Sequence, residues 1–161
     1  MFEKKNELLK RLFIDKNLTL STAESCTGGL LASVITDISG SSTYFMGGVV
    51  SYSNDSKMKI LGVSLQNIID FGAVSEAVVV EMADGAAEQF ETDFSVSVSG
   101  IMGPTGGTTV KPVGLVWIGI HTPGLTFGRK FQFSGDRWQN KMQTVEACLD
   151  LLSETVSGLT K

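Results

Sequence analysis

Leu18-Thr19-Leu20-Ser21-Thr22-Ala23-Glu24-Ser25-Cys26-Thr27-Gly28-Gly29-Leu30-Leu31-Ala32-Ser33-Val34-Ile35 decides the fold class. Leu18 to Thr22 alternate apolar and polar residues, which predicts a strand with one buried face. Leu30 to Ile35 read as part of a packed helix over about residues 28–37, with glycines in its first turn. A turn that passes from strand to helix exposes its side chains and aims several orphan backbone N–H groups at one point. Here Ser25 and Cys26 put a hydroxyl and a thiol side by side. Two readings stay open at this point. One is a helix N-cap, because Ser and Thr satisfy orphan N–H groups. The other is a nucleophile next to donors for the oxyanion it creates.

Working outward, residues 2–16 place Leu8, Leu9, Leu12 and Phe13 on one helical face. Ile38 to Ser42 form a turn cluster, Gly47 to Ser53 a strand, and Asn54-Asp55-Ser56-Lys57 opens a short helix. Ser64 and Ser75 read as helix caps, the second before a long amphipathic helix to about Phe90. Phe94, Val96 and Val98 alternate in a strand that runs into the loop Gly100–Gly107. Val113–His121 and Thr126–Phe133 form a hairpin around Thr122–Leu125, and Asp136 caps a closing helix. Alternating helices and strands predict an α/β sandwich whose mostly parallel sheet is covered on both faces. The late hairpin makes that sheet mixed. Nothing repeats and no linker appears, so residues 1–161 read as a single domain.

Bulk properties narrow the function. A hydrophobic content of 42% with 19% charged residues suits a globular core. The net charge of −4, with no basic run, speaks against nucleic acid as partner. Cys26 and Cys148 stand far apart without any CxxC or Cys/His spacing, so neither a disulfide nor a zinc site is expected. The segment Met1-Phe2-Glu3-Lys4-Lys5-Asn6-Glu7 is too charged for a signal peptide, and no apolar run has membrane-spanning length. The expectation is a soluble, cytoplasmic protein without membrane contact.

Ligands of open α/β sheets bind outside the carboxyl ends of the strands. Three polar or glycine-rich turns follow strand ends: the Ser25 turn, Tyr52–Lys57 and Gly100–Gly107. Parallel strands would gather all three at one edge and bring Lys57 to Ser25. A serine needs a base to become a nucleophile. His121, inside or at the end of a strand, reads as structural, with nothing to suggest an acid partner. Lys57 would serve if desolvation lowered its pKa, and would otherwise be a solvated lysine like Lys59. A helix N-terminus also activates thiols, which keeps Cys26 as the alternative to the favoured Ser25. The Gly100–Gly107 loop has neither GxGxxG nor GxxxxGK[ST], yet its glycines let backbone N–H groups approach a phosphate or carboxyl group. Arg137, just after the Asp136 cap, offers a planar phosphate clamp.

Ala23-Glu24-Ser25-Cys26-Thr27-Gly28-Gly29, Gly40-Ser41-Ser42, Tyr52-Ser53-Asn54 with Lys57, and Gly72-Ala73-Val74-Ser75-Glu76 occur here in that order. Ser99-Gly100-Ile101, Gly103-Pro104, Gly106-Gly107, Lys111-Pro112-Val113-Gly114 and Phe133-Ser134-Gly135-Asp136-Arg137 continue the series. Together, from about residue 18 to 152, they resemble the CinA C-terminal domain family in its stand-alone form, the nicotinamide-nucleotide amidases also called PncC. The resemblance implies a three-layer α/β/α sandwich and hydrolysis of nicotinamide mononucleotide to nicotinate mononucleotide and ammonia, in pyridine-nucleotide salvage. It implies Ser25 as nucleophile, Lys57 as base and Tyr52 as the group that orients Lys57 or relays its proton. Backbone N–H groups of Cys26, Thr27 and Gly28 would hold the oxyanion. Ser42, Asn54, Ser99, Gly100, Arg137 and Lys141 complete the implied substrate-binding set. No metal or redox cofactor is implied, and the assembly implied is a homo-oligomer, a dimer. Met102 and Thr105 depart from the usual family loop Gly-Ile-Ala-Gly-Pro-Asp-Gly-Gly, and Lys141 stands where a second arginine is frequent. These departures leave room for another amide substrate. A non-catalytic nucleotide-binding or competence-related regulatory module is the alternative, although it has no need of Ser25, Tyr52 and Lys57 together.

Overall fold

The computed structural model describes residues 2–159, so the outermost residues of the 1–161 domain expectation lie outside the described residues. Chain order is α1 (Glu3–Asp15), β1 (Leu20–Glu24), α2 (Leu30–Thr36), a 3-10 turn (Ser41–Thr43), β2 (Phe45–Val50), α3 (Asn54–Leu61), α4 (Leu65–Phe71) and α5 (Glu76–Phe90). It continues with β3 (Phe94–Gly100), β4 (Leu115–His121), β5 (Thr126–Gln132) and α6 (Arg137–Ser157). The starts of the later helices follow from local chemistry. Ser53, Ser64, Ser75 and Asp136 each accept a backbone N–H three residues on, as N-caps do. Among the described residues no helix is long and apolar enough to cross a membrane.

The strands form one sheet in the order β2-β1-β3-β4-β5. β1 pairs in parallel with both β2 and β3, whereas β3/β4 and β4/β5 are antiparallel. Only β4 runs against the others, so the sheet is mixed and mostly parallel in direction. Leu20, Val96, Val98, Val116 and Ile118 pack with α1, α2 and α6 on one face. Ala23 packs with Leu61, Val63, Val78, Met82 and Ala86 on the other, under α3 and α5. Two helical layers therefore enclose the sheet.

Two strands lie later or earlier than their sequence suggests. β1 runs from Leu20 to Glu24 rather than over 18–22, and all five of its residues are buried, not one face alone. The reason is its place between β2 and β3 with helices above and below. β2 begins at Phe45 and ends at Val50, which frees Ser51 and Tyr52 for the turn that follows. On β3 the polar residues also face inward. Ser95 and Ser97 donate their hydroxyls to the α5 carbonyls of Ala83 and Val79 at 2.5 Å each. Small side chains let α5 lie close to the sheet, and the back-bonded hydroxyls leave no unmet polar group there. α3 also lies close to α5: a Cβ at Gly85 would sit 2.0 Å from the Leu61 carbonyl oxygen.

Candidate active site

Because β1, β2 and β3 are parallel, the segments after Glu24, Val50 and Gly100 emerge at one sheet edge. There Ser25, Cys26, Tyr52, Asn54, Lys57, Ala73, Val74, Ser99, Gly100, Met102 and Arg137 line a cavity of about 210 Å³.

The turn that carries Ser25 is shaped by Glu24, whose role the sequence reading missed. Its carboxylate is 1% exposed. It accepts from the Thr27 hydroxyl at 2.5 Å and from the N–H groups of Gly29 and Leu31 at 3.0 Å and Ala32 at 2.8 Å. Glu24 thus occupies the N-terminus of α2 in the manner of an internal anion. Gly28 and Gly29 take φ of +65° and +97°, which lets the chain fold back onto that carboxylate. The Ser25 N–H donates to Val98 and the Gly28 N–H to the Ser25 carbonyl, at 3.1 and 3.2 Å. Gly28 therefore drops out of the anticipated oxyanion set, because its N–H closes the turn. Among the described residues the N–H groups of Cys26 and Thr27 have no backbone acceptor. The Thr27 side chain, buried against Glu24, faces away from the cavity.

Lys57 reaches the serine from the first turn of α3. Its Nζ lies 2.9 Å from Ser25 Oγ, 2.9 Å from the Ser51 carbonyl and 3.4 Å from the Tyr52 carbonyl. The side chain is 1% exposed, and burial lowers its pKa from the ordinary 10.5. In the neutral amine two hydrogens go to the two carbonyls, so the lone pair points at the Ser25 hydroxyl. A desolvated lysine held against a serine is the Ser/Lys form of an activated nucleophile.

Cys26 borders the same cavity, but burial first and then the Glu24 charge push its thiol up to about 12. That thiol stays protonated near neutral pH and is a poor rival to Ser25.

Tyr52 does not take the place anticipated for it. Its phenol is turned outward, with the residue 61% exposed, and accepts from Arg137 Nη2 at 3.1 Å. Only its main-chain carbonyl meets Lys57, so neither orientation by the hydroxyl nor a proton relay through it fits. Arg137 also donates to the Gly103 carbonyl at 2.8 Å, which fixes its guanidinium across the cavity mouth. Ser99 lines the cavity, yet its hydroxyl donates to the Ala73 carbonyl at 2.8 Å. Asn54 and Gly100 line the cavity as well.

Ser42 and Lys141 lie outside that lining. Ser42 sits in the 3-10 turn before β2, at the amino end of the strands, whereas Ser25 follows their carboxyl ends. Within one chain the length of β2 separates them. Lys141, one helical turn after Arg137, reaches toward Gly28: its Nζ would be 3.7 Å from a Cβ there. Of the loop departures, Met102 is buried in the cavity lining and Thr105 is exposed outside it. Asn140, unremarked in the sequence, is fully buried and ties this loop to α6, donating to the Met102 carbonyl at 3.0 Å and accepting from the Gly135 N–H at 2.9 Å. Its spacing from Arg137 and Lys141, on one face of a capped helix, was the available signal. His121 does have an acid partner, contrary to expectation. Its Nδ1 is 2.7 Å from Asp84 and 2.9 Å from Thr126, but it pairs with Ser95 near the amino end of β3, far from Ser25.

Comparison with known proteins agrees with this architecture. The family model described as CinA C-terminal domain matches residues 2–156. A CinA-like protein of Endomicrobium trichonymphae is 52% identical over 142 residues, 88% of this chain and 33% of its own length. The chain thus spans about a third of the length of the curated relatives it matches. Among solved structures, the competence damage-inducible protein A of Klebsiella pneumoniae superposes with a TM-score of 0.92 at 33% identity, covering 97% of this chain and 99% of that one. A CinA superfamily protein of Escherichia coli gives 0.92 at 37% identity, covering 96% and 90%.

Proposed function

The chain belongs to the CinA C-terminal domain family, and from that premise we propose that it is an amidohydrolase acting on nicotinamide mononucleotide. The observation that carries the reading is the buried Lys57 Nζ, 2.9 Å from Ser25 Oγ. In this scheme Ser25 Oγ attacks the carboxamide carbon while Lys57 takes the hydroxyl proton. The tetrahedral oxyanion is held by the N–H groups of Cys26 and Thr27, each such donor contributing about 3 kcal/mol. Collapse expels the amine, protonated by Lys57, as ammonia and leaves an ester on Ser25. Water, deprotonated by Lys57, cleaves the ester to the carboxylate and restores the hydroxyl. The Arg137 fork, with Lys141 one helical turn further on, meets the nucleotide phosphate at the cavity mouth.

Ammonia release from nicotinamide mononucleotide by the purified protein tests this. Ser25→Ala is expected to lower kcat by about 10³-fold or more while nucleotide binding persists. Full turnover in Ser25→Ala would sink the nucleophile assignment. Tight nucleotide binding without turnover in the unmutated protein would favour a competence-related regulatory module, the role suggested by the relatives' names. Turnover of a different carboxamide alone would point to the Met102 side of the cavity as a selector.

A further inference from the structure

We propose that Lys111 is a positioning residue for the cavity wall Gly72–Ser75, and that through this wall it sets how tightly the carboxamide substrate is held. The second half rests on the amidase reading. The wall is the connection between α4 and α5, and Ala73 and Val74 face the cavity from it. The carbonyls of Phe71, Gly72, Ala73 and Val74 are each taken by a side-chain donor. Lys111 Nζ donates to Phe71 and, at 2.8 Å, to Val74. Ser75 Oγ donates to Gly72 and Ser99 Oγ to Ala73, both at 2.8 Å. Backbone bonds anchor the two ends of the segment, from the Gly72 N–H to Ile68 and from the Val79 N–H to the Ser75 carbonyl, but the carbonyls between them keep their direction only while those side chains stay in place.

Lys111 is the one charged donor of the three and grips both ends of the wall. It comes from the opposite side, out of a groove of about 650 Å³ that it shares with Phe71, Trp117 and Val74. Val74 lines both the groove and the cavity, so the wall between them is one residue thick. The lysine is itself aimed by a turn, its N–H donating to Thr108 Oγ1 at 3.0 Å and its carbonyl accepting the Thr108 N–H at 2.8 Å. Gly72 makes room for it. With φ of +76°, a Cβ at this position would lie 2.8 Å from the Lys111 ammonium. An ammonium bound to two carbonyls forms charge-assisted bonds, stronger than the hydroxyl bonds beside it.

The test compares the unmutated protein with Lys111→Met and Lys111→Gln, using Lys111→Arg as the conservative variant. Amide hydrogen exchange over 72–75 is read without substrate, and KM and kcat are read with nicotinamide mononucleotide. In Lys111→Met, exchange at 72–75 should rise about tenfold while residues 25–31 stay unchanged. KM should rise about fivefold with kcat within about twofold, and Lys111→Arg should recover part of both. Lys111→Gln decides the matter if the methionine variant does not fold. Unchanged exchange at 72–75 overturns the positioning role. Raised exchange with unchanged KM overturns the link to substrate. Absence of ammonia release by the unmutated protein would count against the amidase reading, and the exchange result would still decide the wall.

Discussion

Lys57→Met should abolish amide hydrolysis, lowering kcat by about 10³-fold, while the protein still folds. Methionine keeps an unbranched apolar stem of similar length but has no lone pair to take the Ser25 proton. Lys57→Arg makes the sharper comparison. Arginine retains positive charge but cannot be deprotonated in a protein, so it should be as inactive as the methionine variant. If Lys57 served only to attract an anion, arginine would restore activity, and that result would overturn its role as base. Stability carries a second signature. Burial lowers the Lys57 pKa in the folded state, so the unfolded chain binds this proton more strongly. The Lys57 contribution is therefore most favourable above the ordinary value of 10.5 and is lost as pH falls toward the lowered one. Urea unfolding at several pH values between about 10 and 7 should show unmutated protein losing stability relative to Lys57→Met as the pH drops. A parallel pair of profiles would mean that the amine is not desolvated.

Glu24→Gln is expected to be nearly as damaging through a different route. The carboxylate satisfies one hydroxyl and three N–H groups with its two oxygens. An amide offers one oxygen for the three donors gathered on Oε2 and turns its NH2 group toward the half-buried Ala32 N–H, which is left without an acceptor. Loss of the charge-assisted bonds and of the anion at the α2 N-terminus should cost about 3 kcal/mol in urea unfolding. Below its melting range the variant should also lose about 10²-fold in kcat, because the Cys26 and Thr27 N–H groups shift with the turn. Thr27→Val removes the hydroxyl that donates to Glu24 and should fall between Glu24→Gln and the unmutated protein, whereas Thr27→Ser should resemble the unmutated protein. A Glu24→Gln variant of normal stability and activity would show that the turn holds its shape without the carboxylate.

These two residues mark how far the sequence could be read. Lys57 was legible because parallel strands bring their carboxyl ends together, and a mostly parallel sheet follows from alternating helices and strands. Glu24 was not, since a glutamate beside a serine in a glycine-rich turn gives no sign that it bends back onto the following helix. Alternation misled in the same way on β1. Polar residues at every second position usually mean a solvated face, but here Ser21 bonds Thr92 at 2.8 Å and Glu24 bonds α2, both inside. The serines of β3 show the same effect, their hydroxyls turned onto α5. The Tyr52 phenol and Ser42 lie apart from Lys57 and Ser25 for a geometric reason. A spacing in sequence places a backbone at a strand end, whereas the direction of a phenol, or the end of the strand on which a turn sits, comes from packing and register. His121 differs again, because its partner Asp84 is 37 positions away on α5 and no local pattern links them.

The Arg137 guanidinium, moored to the Gly103 carbonyl and the Tyr52 hydroxyl, has a consequence for events before any contact is made. The protein as a whole carries a net charge of −4 and repels anions at a distance. A cation held still at the cavity mouth opens one attractive approach through that field. Under the proposed amidase function, an incoming mononucleotide would be guided phosphate first, with its carboxamide end left to explore the interior. Such guidance fades with ionic strength over a Debye length of about 8 Å at physiological salt. Capture of substrate should therefore slow as salt rises, while the chemistry at Ser25, sheltered inside, keeps its pace.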